Sequence, residues 1–218
     1  MSHWPVGVAQ LWNVRLLAMP NKRIKSALLP ASPALVEQYI ALFDQDESNQ
    51  NVDEIIRNLI VARPHNGNFQ DVLIKTCLIN DLYGTNVYGT YAMARHIHSL
   101  AIDARLATGD ISLVPSIAQS EFAGNRIFYS FATKYCNWHR EKCFPIYDSI
   151  VDNVLWAYRK QFHFHRYKQG EVRIYTRWKE ILDAFILYFS LGELTYKQVD
   201  KFMWKYGKEV LARENEGA

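Results

Sequence analysis

Two side chains in this sequence could together break a glycosidic bond. Lys134 closes the run Ser130-Phe131-Ala132-Thr133-Lys134, and Asp148 lies in Phe144-Pro145-Ile146-Tyr147-Asp148-Ser149-Ile150-Val151. A carboxylate held beside a sugar stabilises positive charge as a base departs and orients the incoming water. An amine in the same pocket attacks C1′ or pairs with a phosphate. Both residues fall where a helix is expected to begin.

The small residues Ser130 and Ala132 flank Phe131, a pattern expected to turn tightly, bury one ring and direct successive N–H groups outward. Such amides at a helix start attract phosphate. A short helical run, Tyr135 to Arg140, is expected after Lys134. It breaks at Lys142-Cys143-Phe144-Pro145, where proline removes a donor and disfavours helix in the residue before it. Asp148 then reads as the N-cap of a helix whose Ile150, Val151, Val154, Leu155 and Tyr158 recur on one face. Capping alone is a complete account of Asp148; chemistry requires in addition that its carboxylate face a cleft.

These segments resemble the helix-hairpin-helix DNA glycosylase superfamily, whose members carry a Gly-hydrophobic-Gly-x-Lys hairpin followed by a Val-Asp-Thr-His-like turn. Ser130 to Lys134 stands for the first and Ile146 to Val151 for the second, with both hairpin glycines replaced. The segments are more similar to prokaryotic 8-oxoguanine DNA glycosylase-like proteins, in which a Ser-Phe-Ala-Ser-Lys stretch precedes a Phe-Pro-Ile-Tyr/Trp-Asp-Ser stretch. Ile79-Asn80-Asp81-Leu82-Tyr83-Gly84-Thr85-Asn86 resembles their Asn-x-Leu-Tyr-x-Thr-Asn turn.

The resemblance implies an all-α, two-lobed fold. Residues 70–160 would form the hairpin and catalytic lobe, and 1–69 with 161–218 the second. It implies a monomer that needs no cofactor or metal and acts on double-stranded DNA. A base inside a duplex cannot be attacked, so the nucleotide would be extruded into the pocket. Asp148 and Lys134 would be the catalytic pair, with Lys134 as nucleophile or phosphate ligand. Ser130, Phe131, Ala132 and Thr133 would contact DNA, and Thr85 and Asn86 would fill the vacated stack or contact the opposite strand, or simply close a turn. Tyr135, Trp138, His139 and Tyr147, close in sequence, are candidates for the base pocket or for core. The base would be an oxidised guanine or a phage-type hypermodified base such as glucosylated hydroxymethylcytosine. A binding module that keeps the hairpin without the reaction is the alternative.

The remaining sequence sets bounds. With 25 Lys and Arg against 22 Asp and Glu the net charge is +3, too small to identify a nucleic-acid partner by itself. Distribution says more. From His163 through Arg166, Lys168, Arg173, Arg177, Trp178 and Lys179, cations and aromatics interleave, which suits a phosphate backbone with a stacked base. Arg166 and Lys168 are the DNA-contact candidates there, and Asn21-Lys22-Arg23-Ile24-Lys25 is a second basic cluster. Three cysteines fit a reducing compartment and are too few for a four-cysteine iron–sulfur cluster; Cys136, His139 and Cys143 match no zinc spacing. Trp4 to Met19 lacks the features of a secretory leader and no run can span a bilayer, so a cytoplasmic protein is expected. Helical periodicity dominates at Leu35 to Phe43, Ile55 to Ile60, Ala92 to Ala101 and Val199 to Leu211, and the terminal Arg213 to Ala218 is expected to fray.

Overall fold

A computed structural model describes residues 23–121 and 126–216; the readings made on Trp4 to Met19, Asn21 and Lys22 lie outside them. Side chains ahead of each apolar run set the helix starts. Ser32 accepts from Leu35 N and Pro33 opens α1 (Pro33–Asp44), Asp46 caps α2 (Glu47–Ala62), and Asn68 caps α3 (Phe69–Tyr83). Gly84, at φ 58°, ends α3 in the left-handed conformation that glycine tolerates best. There follow α4 (Thr90–Ser99), α5 (Asp103–Thr108), α6 (Leu113–Ala118), α7 (Tyr129–His139), α8 (Ser149–Phe162), a 3-10 turn (Gln169–Arg173), α9 (Tyr175–Tyr188) and α10 (Tyr196–Glu216). Among the described residues there is no strand, only an isolated bridge between Gln119 and Ile127. The fold is all-α, and among the described residues no helix is long and apolar enough to cross a membrane.

The helices form two packed sets. In one, α3 lies against α4 and α7, and α6 against α7; in the other, α1 and α8 both pack on α10. Helix α2 touches α1, α3 and α7, joining the sets. Tyr158 of α8 meets Phe185 and Phe189 edge-on, which brings α9 into the second set.

Two expectations are corrected here. Helix α8 was assigned by sequence position to the central 70–160 lobe. Its apolar face, Val151, Val154, Leu155 and Tyr158, is instead buried with the terminal helices, so the division falls just before Asp148. The C-terminal residues through Glu216 do not fray. Arg213 pairs with Glu209 along α10, and the Glu214 carboxylate accepts from Lys25 N at 2.8 Å and Ser26 N at 2.7 Å.

Helix α10 comes close to α8 at Gly207. A Cβ there would stand 2.6 Å from Val154 Cγ2 and 2.7 Å from Ile150 Cγ2. Both neighbours are β-branched and stiff at χ1. Gly207→Ala should therefore lose about 1–2 kcal/mol of stability, overpacking outweighing the roughly 1 kcal/mol gained in helix propensity. Urea denaturation at fixed pH measures this; an unchanged or raised midpoint would mean the two helices separate freely.

Candidate functional site

The site is built on a short segment with no secondary structure, Phe144 to Tyr147, all four of whose residues are buried. Backbone polar groups in such a place need partners, and side chains supply them. Asn137 Nδ2 donates to Phe144 O at 2.7 Å, Tyr175 OH to Pro145 O at 3.1 Å and Trp178 Nε1 to Ile146 O at 3.0 Å. Tyr147 N donates to Thr133 Oγ1 at 3.0 Å. The segment is thus clamped between α7 and α9, and it delivers Asp148 at a fixed place.

Asp148 is the N-cap expected of it. Its backbone is extended (φ −137°, ψ 147°), and Oδ1 accepts from Ile150 N at 2.9 Å. The second carboxylate oxygen faces Lys134, whose Nζ lies 3.4 Å away. Lys134 Nζ also donates to Ser130 Oγ at 2.7 Å and to Tyr147 O at 3.3 Å, and it stands 5.5 Å from the centre of the Tyr83 ring. The Lys134 side chain is 4% exposed and that of Asp148 is 24%. The carboxylate reaches the surface of the site and the amine supports it from behind.

Sequence reasoning missed the third wall, which α10, α2 and the end of α3 provide. Asp200 of α10 has a buried Oδ1 with no hydrogen-bond partner. Burial pushes its carboxyl up to about 7, with Asp148 and Asp53 adding to the rise and Lys134 and Lys197 opposing it. Lys197 Nζ contacts Asp53 at 3.1 Å and Tyr83 OH at 3.4 Å, and lies 3.7 Å from the centre of the Trp138 ring. Trp138 Nε1 donates to the same Tyr83 hydroxyl at 3.1 Å. Lys201 pairs with Asp53 at 2.8 Å and with Asp44 at 2.6 Å. Burial pushes the Lys208 amine down, with Asp148 the first of the charges opposing it. The signal available in sequence was the polar edge of α10, Lys197, Asp200, Lys201 and Lys208, opposite its apolar face.

The other expected residues divide. Ser130 to Lys134 was read as a turn before the helix; it lies within α7, which begins at Tyr129. Without the hairpin glycines nothing there requires a positive φ, none is adopted, and Ala132 N donates to Phe128 O as in an ordinary helix. Phe131, Ala132 and Thr133 are fully buried, which removes them from contact with DNA; Ser130 is half-buried and holds Lys134. Trp138 and Tyr147 border the site. Tyr135 and His139 do not: Tyr135 OH donates to Asn66 Oδ1 at 2.7 Å, in a buried network that also takes Lys75 Nζ at 2.9 Å and anchors Asn66 on Asp103 at 2.7 Å. Burial holds the Lys75 amine down at about 8 and the neighbouring His139 at about 3. A step of one residue, about 100° around α7, turns Tyr135 away from Lys134 and His139 away from Trp138, toward Asn66 and Lys75. Thr85 donates to Asn80 Oδ1 at 2.8 Å and Asn86 is exposed at φ 59°, so Asn80 closes this turn. Arg166 and Lys168 are exposed, whereas Arg177 pairs with Glu180 and Glu171, and Lys179 with Asp183.

Residues 35–143 match the family model described as HI_0787_N, N-terminal domain. A Haemophilus influenzae protein, named only as an uncharacterized protein, is 35% identical over 146 residues, covering 66% of this chain and 70% of that one. No solved structure matches the chain. The family match includes Lys134 and ends just before the segment that delivers Asp148.

The Asp200 environment has a measurable consequence. Its carboxyl is raised from 3.8 to about 7, so the unfolded chain releases this proton at lower pH than the folded one. The associated stability is fully present below about pH 4 and is lost as pH rises through about 7. Asp200→Asn should therefore gain on the wild type across that window, by at least about 1.4 kcal/mol at pH 8, a tenfold change in the folding equilibrium. Urea midpoints measured from pH 4 to pH 8 test it, and parallel curves for the two proteins would contradict it.

Proposed function

We propose that this chain, which belongs to the HI_0787_N family, is a DNA N-glycosylase of helix-hairpin-helix type, a reading that rests on its own residues. In this reading it extrudes a damaged or modified base from double-stranded DNA and hydrolyses the glycosidic bond, leaving an abasic site. The observation that carries the reading is the Lys134–Asp148 pair, at 3.4 Å, placed where the two helix sets meet. Although the interval from Lys134 to Asp148 is shorter than in the glycosylases, the order of the motifs that resemble theirs supports it. So does the exposure of Asp148, which leaves one carboxylate oxygen able to meet a sugar while the other caps α8.

The residues divide the work as follows. As the bond from C1′ to the base nitrogen breaks, its electron pair leaves with the base and positive charge develops on the sugar. The Asp148 carboxylate stabilises that charge and orients a water whose oxygen bonds to C1′. Lys134 acts mainly through Asp148. Its Nζ donates toward three oxygens, Ser130 Oγ, Tyr147 O and Asp148 Oδ2, an arrangement suited to a hydrogen-bond donor rather than to an amine with a free lone pair. This favours base loss without strand cleavage over the lyase version. Trp138 and Tyr147 are the aromatics placed to border an extruded base. Action as a monomer on DNA inside the cell, in repair or against modified phage DNA, belongs to the same proposal.

Abasic-site formation on oligonucleotides containing oxidised guanine, and on phage DNA with modified or unmodified cytosine, tests the reading. Asp148→Asn keeps the cap, because asparagine caps as well as aspartate. It should cut base loss by about 100- to 1,000-fold while DNA binding persists. Borohydride should trap no covalent complex on abasic DNA; a complex that disappears in Lys134→Gln would identify the lyase version. Tight binding without base loss on any DNA would leave the non-catalytic module.

A further inference from the structure

The start of α7 was the expected phosphate site, and burial of Phe131, Ala132 and Thr133 leaves that task to another element. A cavity of about 210 Å³ opens at the start of α8, on the side of the Phe144 to Tyr147 segment reached by the Tyr147 side chain. Arg23 and Arg173 line it together with Tyr147, Ser149, Asp152 and Asn153. Arg173 is exposed, lies 5.0 Å from the centre of the Tyr147 ring, and makes no ion pair within 4.0 Å among the described residues. Arg23 is 33% exposed at its side chain, lies against the Gln169 amide, which also lines the cavity, and reaches Asp152 at 4.0 Å. Ser149 is the first residue of α8, where the helix dipole favours negative charge.

Asp152, one turn along α8, supplies an independent observation. It is 8% exposed, it lines the cavity, and its Oδ1 has no hydrogen-bond partner. Burial pushes its carboxyl up, with Arg23 and Arg173 opposing. In the protonated form it is a donor, so the cavity then offers two guanidinium groups, a serine hydroxyl and a carboxyl O–H to one guest. That set calls for an acceptor-rich anion. The volume is below the roughly 300–1,000 Å³ of pockets that enclose a drug-sized ligand, which fits one tetrahedral group rather than a nucleotide.

We propose that the Arg23–Arg173 cavity binds a phosphate group, and that in the working complex this is a backbone phosphodiester flanking the nucleotide at Asp148. The source of the phosphate rests on the glycosylase reading; the phosphate chemistry does not. The exposed Arg166 and Lys168 stand just before the turn that carries Arg173 and extend the same basic surface along the chain.

The experiment is DNA binding by the full chain as a function of salt. Each phosphate contact removed should lower the slope of log K against log salt by about 0.9. Arg173→Ala and Arg23→Gln should each lower the slope by part of that amount, and the double variant, which loses the one phosphate, by the full amount of about 0.9. Arg177→Ala, in the same basic tract but already paired with glutamates, should not. Asp152→Asn should lose less DNA affinity than the wild type as pH is raised, because an ionised Asp152 would repel the phosphate. Unchanged slopes in the arginine variants, with base loss intact, would overturn the phosphate site and leave the glycosylase reading standing. Should the wild type bind no DNA, that reading fails. A titration with inorganic phosphate, followed by intrinsic fluorescence, then decides the site alone: saturable binding abolished in Arg173→Ala sustains it, and no saturation refutes it.

Discussion

Four consecutive buried residues without secondary structure, Phe144 to Tyr147, are the constraint on which the site depends. A buried backbone group without a partner costs about 1–3 kcal/mol, so such a segment persists only where side chains have been placed to meet it. Here they come from both sides: Asn137, Thr133, Ser130 and Lys134 on α7, and Tyr175 and Trp178 on α9. Most of these side chains are neutral, and Thr133 accepts from the segment where the others donate to it. The position of Asp148 is therefore set by backbone satisfaction and helix capping before its charge is considered. The same geometry gives Lys134 two duties, since Tyr147 O accepts from it as well as from Ser130.

Electrostatics then acts on a frame already in place. Lys134, Asp148, Asp200, Lys197, Asp53 and Lys201 bring charge into a region that is partly closed to water, where desolvation can exceed the attraction between opposite charges. Apolar residues of similar volume would make a more stable interior. Lys197 and Lys201 each meet the carboxylate of Asp53, so those charges are matched. Asp200 is the exception, a carboxyl with an orphaned oxygen and a raised ionisation point. Mismatch of this kind is characteristic of sites that perform chemistry.

The all-α class, the cap at Asp148 and the break at Pro145 were all legible, because each depends on local pattern: 3.6-residue periodicity, a side chain that accepts from the first turn, and a ring that cannot donate. The start of α7 was not. Read beside a glycine-containing motif, Ser130 and Ala132 suggested a turn, yet serine, alanine, threonine and lysine are all compatible with a helix and no left-handed residue interrupts it. The remaining misplacements are tertiary. Tyr135 and Trp138 are three positions apart on α7, but one reaches Asn66 and the other Tyr83, a difference set by where α3 and α10 lie. Asp200, Tyr83 and Asp53 belong to three helices far apart in sequence, and no spacing rule connects them. Arg23 is likewise joined to the start of α8 only by folding.

Tyr147 has two faces in this arrangement, and they bear on how one ligand would be held. Its carbonyl accepts from Lys134 on the side of Asp148, while its ring lies under Arg173 at the mouth of the phosphate cavity. Ser149 follows Asp148 immediately and lines that cavity. A ligand touching both places would thus be gripped by neighbouring residues of one clamped segment and one helix start, with little freedom between them. Rigid spacing of this kind converts binding energy at a non-reacting group into orientation at the reacting one. It also makes the two sites dependent on the same support. The close contact of Gly207 with Ile150 and Val154, which seats the first turn of α8 against α10, bears on the angle at which Asp148 would meet a sugar and on the position of Ser149 relative to the proposed phosphate.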